Sequence, residues 1–239
     1  MVNQIASNIE NERPGVAPSS PRRVAVYGGS FDPVHQGHIA IAHALFRQFE
    51  LDEFVFIPAF HAPHKVRLKP TSAYDRYAML CLATKSEHKI AISKLEIEMP
   101  ERPYSVETLA RLNAEWPGDD IFFVMGADSW MDITTWREWE KVLSLSNHIV
   151  VTRPGVEIGF EHVTDEIRSR IVDLRGRSEP VAVATRFRGY KPSIVFTDSV
   201  NLNISATDIR RKIRGGDVSW REDVPAEVAN YVEKYQIYK

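Results

Sequence analysis

Residues 24–46, VAVYGGSFDPVHQGHIAIAHALF, pass from a β-branched apolar run into an amphipathic one across a turn holding two glycines and two histidines. Val24, Val26 and Tyr27 suit a strand, and the apolar residues from Ile39 onward return at the three- and four-residue spacing of a helix. Gly28 and Gly29 end the strand and, lacking a Cβ, let backbone approach a ligand closely. Asp32 and Pro33 suit a cap and a first helical turn. His35 and His38 are three apart, so in a first turn they share one face. A helix N-terminus offers free N–H groups and partial positive charge, which suits phosphate, and imidazoles there add donors. Neither GxxxxGK[ST] nor GxGxxG occurs at this turn, so it is a phosphate loop of another kind.

Outward from this turn, apolar runs at 22–29, 52–59, 89–97, 120–128, 147–155 and 193–198 alternate with helical patterns at 37–50, 71–87, 105–116 and 136–146. Apolar strands separated by helices predict a doubly wound α/β fold with a mainly parallel, Rossmann-like sheet. Ligands of such sheets sit beyond the carboxyl ends of the strands. The loops GGSFDP, PAFHAPHK, MGADSW and TRPG all follow strands and should meet at one edge. Residues 1–21, polar and rich in Asn, Ser and Pro, read as a flexible tail before a single domain over 22–239. The part from 203 to 239 reads as two short helices separated by Gly215 and Gly216. The segment 159–192 reads as one helix and an irregular basic connection, with no site assigned.

The formal net charge is -2, with basic and acidic residues well mixed, which argues against a nucleic-acid track or an anionic membrane surface. Any anionic ligand must be met by a local cluster. No run approaches the ~20 apolar residues of a membrane span, and the N-terminus lacks a signal-peptide core. The single cysteine, Cys81, reads as a small buried hydrophobe in a cytoplasmic protein. A homo-oligomer stays open. Two H-x-x-H pairs, at 35/38 and 61/64, would suit zinc only with a cysteine or matched carboxylate, which neither has, and zinc would leave the glycine turn unexplained.

GGSFDPVHQGH resembles the first signature of the HxGH-bearing nucleotidyltransferases, and NISATDIRRKI, residues 203–213, resembles their second. With PHK, GADSW, a downstream tryptophan and TRPG between and around them, the order is most similar to the bacterial nicotinate-nucleotide adenylyltransferase family. Ala206 stands where the second signature usually has serine. The resemblance, which spans about residues 23–238, implies transfer of AMP from ATP to nicotinate mononucleotide, with Mg2+, giving nicotinate adenine dinucleotide and pyrophosphate in NAD biosynthesis. It implies that His38 faces the α-phosphate and His35 the triphosphate. Gly28, Gly29, Ser30, Phe31, Asp32 and Gly37 belong to the same ATP loop. Ser205, with Thr207 beside it, would cap a helix starting at Asp208 and donate to the outer phosphates, while Arg210 grips the departing pyrophosphate. Gly126 and Asp128 follow a strand, where Asp128 can accept from a ribose or adenine group or cap the next helix.

From the stiff loop HAPHK, the resemblance carries Lys65 and His64 to the reacting phosphates, His64 on the mononucleotide side. For the acceptor it singles out Trp136 to stack on the pyridine, with Ser105 and Thr108 at a helix start and Arg153 at the phosphate. By spacing alone, Trp136 and Trp139 would share one core-facing helix face, and Asp75 and Arg76 would form a surface ion pair. Alternatives at this stage are the same transfer to nicotinamide mononucleotide or phosphopantetheine, and a non-catalytic nucleotide sensor.

Overall fold

The computed structural model describes residues 21–60, 71–99, 103–152, 158–177, 192–200 and 202–239. Strand β1 (Arg23–Gly29) leads through the glycine turn into helix α1 (Gln36–Phe49), and β2 (Glu53–Pro58) returns beside β1. Helix α2 (Ala73–Ala83), strand β3 (Ile90–Ile92), helix α3 (Ser105–Glu115) and strand β4 (Asp120–Gly126) follow. Beyond them come α4 (Ala127–Met131), a 3-10 turn (Ile133–Thr135), α5 (Trp139–Leu145), β5 (Asn147–Val151), α6 (Asp165–Arg168), β6 (Ile171–Asp173) and β7 (Ile194–Thr197). Helix α7 (Ala206–Arg214), a 3-10 turn (Val218–Asp223) and α8 (Ala226–Lys234) close the chain.

Seven strands form one sheet in the order β3-β2-β1-β4-β5-β7-β6, and every pairing is parallel. The expected α/β doubly wound architecture is present, parallel throughout rather than mainly so. Strand order reverses between β1 and β4, so the turns after these two strands flank the crevice where such folds take ligands. Period-two alternation places the core on both faces. Val24, Val26, Ile121 and Phe123 pack with Leu109 of α3 and Val142 of α5, while Ala25, Phe54 and Phe122 pack with Leu45 of α1, Leu80 of α2 and Val228 of α8.

Several expectations change. The strand expected over 89–97 is three residues long, because β3 is an edge paired with β2 alone and the chain beyond it turns, Glu98 N–H donating to the Lys94 carbonyl. Strand β6 lies in the segment expected to be irregular, and its three half-buried residues are too few to show a period. The last part carries a 3-10 turn between its two helices. Cys81 is half-buried, and burial raises its thiol pKa. No helix among the described residues is long and apolar enough to cross a membrane. The expected tail falls outside the described residues except for Pro21.

Candidate functional site

Helix α1 begins at Gln36 with His35 as its N-cap, so the Asp32–Pro33 pair is not the cap that the sequence suggested. His35 N–H donates to His38 Nδ1 at 3.1 Å, and the two rings stack with centroids 3.7 Å apart. Gly37 permits this, since a Cβ there would press on the His35 ring at 3.1 Å. Phe31 meets the His38 ring edge-on at 5.0 Å, and Tyr27 stands 6.0 Å away. Burial, with His35 beside it, lowers the His38 pKa well below the ordinary imidazole value. His38 is therefore neutral near pH 7. Because Nδ1 accepts from the backbone, the single ring proton belongs on Nε2, and His38 presents an N–H donor of defined tautomer.

The glycines divide their labour. A Cβ on Gly29 would lie 2.9 Å from the Phe31 ring, so Gly29 lets Phe31 fold back over the strand end. Phe31 itself has a left-handed φ of 47°. At Gly28 a Cβ would make ordinary contact with Phe123, and around Gly126, beyond β4, the space is open.

Asp32 is buried and serves as a knot. Its carbonyl accepts from Arg210 Nη1 at 2.5 Å, across 178 residues of sequence. Its carboxylate accepts from the Tyr238 hydroxyl at 2.6 Å and, at 3.4 Å, from the Thr71 N–H. Burial beside this carboxylate raises the Tyr238 phenol pKa. Helix α7 starts at Ala206, two residues earlier than expected; Ser205 caps it by accepting from Asp208 N–H at 3.1 Å and donates to the Asp208 carboxylate at 2.9 Å. Arg210 Nη2 also reaches Thr207 Oγ1 at 3.3 Å. The N-termini of α1 and α7 thus adjoin, and their partial positive ends face one region.

Arg76 does not form the surface pair with Asp75 that the sequence suggests. It is 1% exposed, and its guanidinium donates to four backbone carbonyls: Ser30 at 2.6 Å, Ala59 at 2.6 Å, Phe60 at 3.2 Å and Thr71 at 3.1 Å. Asp75 instead accepts from the Tyr231 hydroxyl at 2.8 Å. The sequence did hold a signal: Ala73, Arg76 and Leu80 fall on one helical stripe, so Arg76 sits on the buried face of α2.

On the other side of the crevice, Asp128 lies exposed in the first turn of α4, whose N-cap is Gly126, so Asp128 does not cap it. Trp136 ends the 3-10 turn, half-buried, edge-on to Phe123 at 6.4 Å. The left-handed Glu138 separates it from α5, so Trp136 and Trp139 do not share a helix face. Trp130 is a core residue whose indole N–H donates to the Gly159 carbonyl at 3.3 Å. Next to Trp136, Arg137 stacks on Tyr104 at 4.9 Å and pairs with Glu107 at 3.6 Å, tying this turn to the start of α3 where Ser105 stands. Thr108 is buried and donates its hydroxyl to Glu96 at 2.8 Å. Desolvation raises the Glu96 carboxyl pKa from its ordinary 4.5 to about 7, against the Thr108 hydrogen bond and the Arg76 charge. Neither Glu96 nor Tyr238 announced itself in the sequence, since each matters through a distant partner. His61, His64, Lys65 and Arg153 lie outside the described residues. Among the described residues, no three His, Cys, Asp or Glu side chains group to hold a metal ion.

The sequence profile of the family described as cytidylyltransferase-like matches residues 26–212, from within β1 to α7. The chain belongs to this family. As a cytidylyltransferase-like protein it has relatives over nearly its whole length. One from Desulfitobacterium hafniense (strain Y51), named "Probable nicotinate-nucleotide adenylyltransferase", is 34% identical over 92% of this chain and 97% of its own. Another of the same name, from Citrifermentans bemidjiense, is 36% identical over 90% of this chain and 98% of its own. In fold, the chain matches Plasmodium falciparum nicotinic acid mononucleotide adenylyltransferase complexed with NaAD, with a TM-score of 0.65 and 17% identity over 91% of this chain and 97% of that one.

Proposed function

We propose that this chain transfers the adenylyl group of ATP to nicotinate mononucleotide, releasing pyrophosphate and nicotinate adenine dinucleotide. The observation that carries the reading is the meeting of two distant segments at the switch point: neutral His38 on the α1 N-terminus, and Arg210 of α7 tied to the same turn. Relatives named for this activity, 34% and 36% identical over nearly their whole length, support it.

The mononucleotide phosphate oxygen attacks the α-phosphorus of ATP. A new O–P bond forms, the bond to the bridging oxygen breaks, and pyrophosphate leaves with that electron pair. The nucleophile is already an anion, so no base is required. What the site must supply is fixed positive potential where charge builds. His38 Nε2–H and the free N–H groups of the α1 N-terminus suit the α-phosphate, and Arg210 suits the leaving pyrophosphate through its guanidinium fork. Mg2+ would enter on the triphosphate, held by phosphate oxygens and water, adding charge neutralisation there. Trp136 offers a ring for the pyridine to stack on, and by resemblance Ser105 and Thr108 of α3 serve the same acceptor. Lys65, His64 and Arg153 complete the set by resemblance.

Pyrophosphate release from purified protein, ATP and Mg2+ tests this with each acceptor in turn. Turnover is expected with nicotinate mononucleotide, more slowly with nicotinamide mononucleotide, and not with phosphopantetheine. No turnover with any of them would refute the enzyme, and preference for phosphopantetheine would refute the acceptor.

A further inference from the structure

Arg76 is a buried cation that forms no ion pair among the described residues. All its hydrogen-bond partners among the described residues are backbone carbonyls, and they come from three places: Ser30 in the turn after β1, Ala59 and Phe60 after β2, and Thr71 ahead of α2. Carbonyl dipoles satisfy its donors but leave its net charge intact. Desolvation lowers its pKa while Asp32, Tyr238 and Glu96 act through space to raise it, and a guanidinium so placed stays protonated.

The direction of these bonds has a geometric consequence. In a planar trans peptide the C=O and the following N–H point in opposite directions. With the Ser30 carbonyl drawn to Arg76, the Phe31 N–H is turned to the other side of the loop. Among the described residues it meets no acceptor. Phe31 is also in the left-handed region, φ 47°, where a residue with a Cβ stays only when its surroundings hold it. The clamp on Ser30 is such a restraint, and the Phe31 ring packed under Gly29 and against His38 is another.

We propose that Arg76 is a positioning residue for the triphosphate: it holds the Ser30–Phe31 peptide so that the Phe31 N–H is presented to a phosphate oxygen, and its charge acts on the same anion. This rests on the reading that the chain binds ATP. It adds a residue from α2, outside both signatures, whose effect runs through backbone.

Two measurements test it. In wild-type protein labelled with 15N-phenylalanine, saturating ATP with Mg2+ should move the Phe31 amide proton downfield. In Arg76→Lys, which keeps the charge but loses the planar fork, ATP affinity by direct titration should fall about tenfold or more, the scale of a misplaced charge-assisted donor. Affinity for nicotinate mononucleotide alone should change less than about twofold. Leu80→Val, buried on the same helix but bonded to no loop carbonyl, should lower the melting temperature and leave ATP affinity within about twofold. A purely structural role would make the two variants alike. Wild-type ATP affinity in Arg76→Lys, an equal loss in Leu80→Val, or a Phe31 amide unmoved at saturation would each overturn the proposal. The amide measurement decides even if Arg76→Lys fails to fold. A wild-type chain that binds no ATP overturns this proposal and the reading beneath it, whereas ATP binding with an unmoved Phe31 amide overturns this one alone.

Discussion

The turn after β1 and the surface around Trp136 lie beyond the same sheet edge, but the first is clamped, chiefly through its backbone, by side chains from distant elements, and the second is held by a few contacts nearer the surface. Around the turn, Arg76 grips the Ser30 carbonyl and ties it to the chain after β2 and before α2, Arg210 grips the Asp32 carbonyl, and Tyr238 grips the Asp32 carboxylate, so residues from α2, α7 and the chain beyond α8 converge on loop residues 30–35. Around Trp136 the tertiary ties are an edge-on contact with Phe123, the stacking of Arg137 on Tyr104 and an exposed pair between Arg137 and Glu107, of the kind that contributes little. Charge building on a phosphate demands donors that do not reorganise. A flat ring recognised by stacking tolerates a looser frame. Under the proposed function, the contrast suits the first region to the chemistry and the second to the choice of acceptor.

Substitutions in the two regions should separate accordingly. His38→Ala removes the fixed-tautomer donor and should lower turnover about 100-fold or more, the scale of losing one transition-state donor, with the melting temperature little changed. Near-normal pyrophosphate release by folded His38→Ala would erase the distinction between the regions. Trp136→Ala should raise KM for the acceptor about tenfold or more, the scale of losing one stacking partner, while ATP affinity stays within about twofold. Equal weakening of both substrates would show that the regions are not independent.

The smallest effect sharpens the acceptor side. With its carboxyl pKa raised from 4.5 to about 7, folded Glu96 holds a proton across a range where the unfolded chain has released it. The stability this contributes is full below about pH 4.5 and is lost as pH rises through about 7. Glu96→Gln keeps an acceptor for Thr108 without that titration. It should be more stable than wild type at pH 8, by about 1–3 kcal/mol, and should show a flatter melting-temperature profile between pH 5 and 8. Identical slopes for variant and wild type would place the Glu96 carboxyl in water.

How legible each region was follows from where its information lies. Strand, glycines and histidines of the first turn are contiguous, so GGSFDPVHQGH was readable, and the second signature pointed to Arg210. The exact helix starts were not, because Asp32 prefers a tertiary partner, Tyr238, to the cap its local sequence suggested. Arg76 looks like a partner of its neighbour Asp75, yet helical spacing places it on the buried stripe of α2. The shared helix face assumed for Trp136 and Trp139 failed because Glu138 adopts a left-handed conformation that no pattern announced.

By itself, the sequence determined the alternation of strands and helices, the parallel sheet and the glycine turn after β1, because apolar period and glycine placement act over a few residues. Only the tertiary structure decided that Arg76 clamps the turn, that Thr108 donates a hydrogen bond to Glu96, and that Tyr238 closes on Asp32. A buried donor must find an acceptor wherever packing puts one, and the distance along the chain does not enter that requirement.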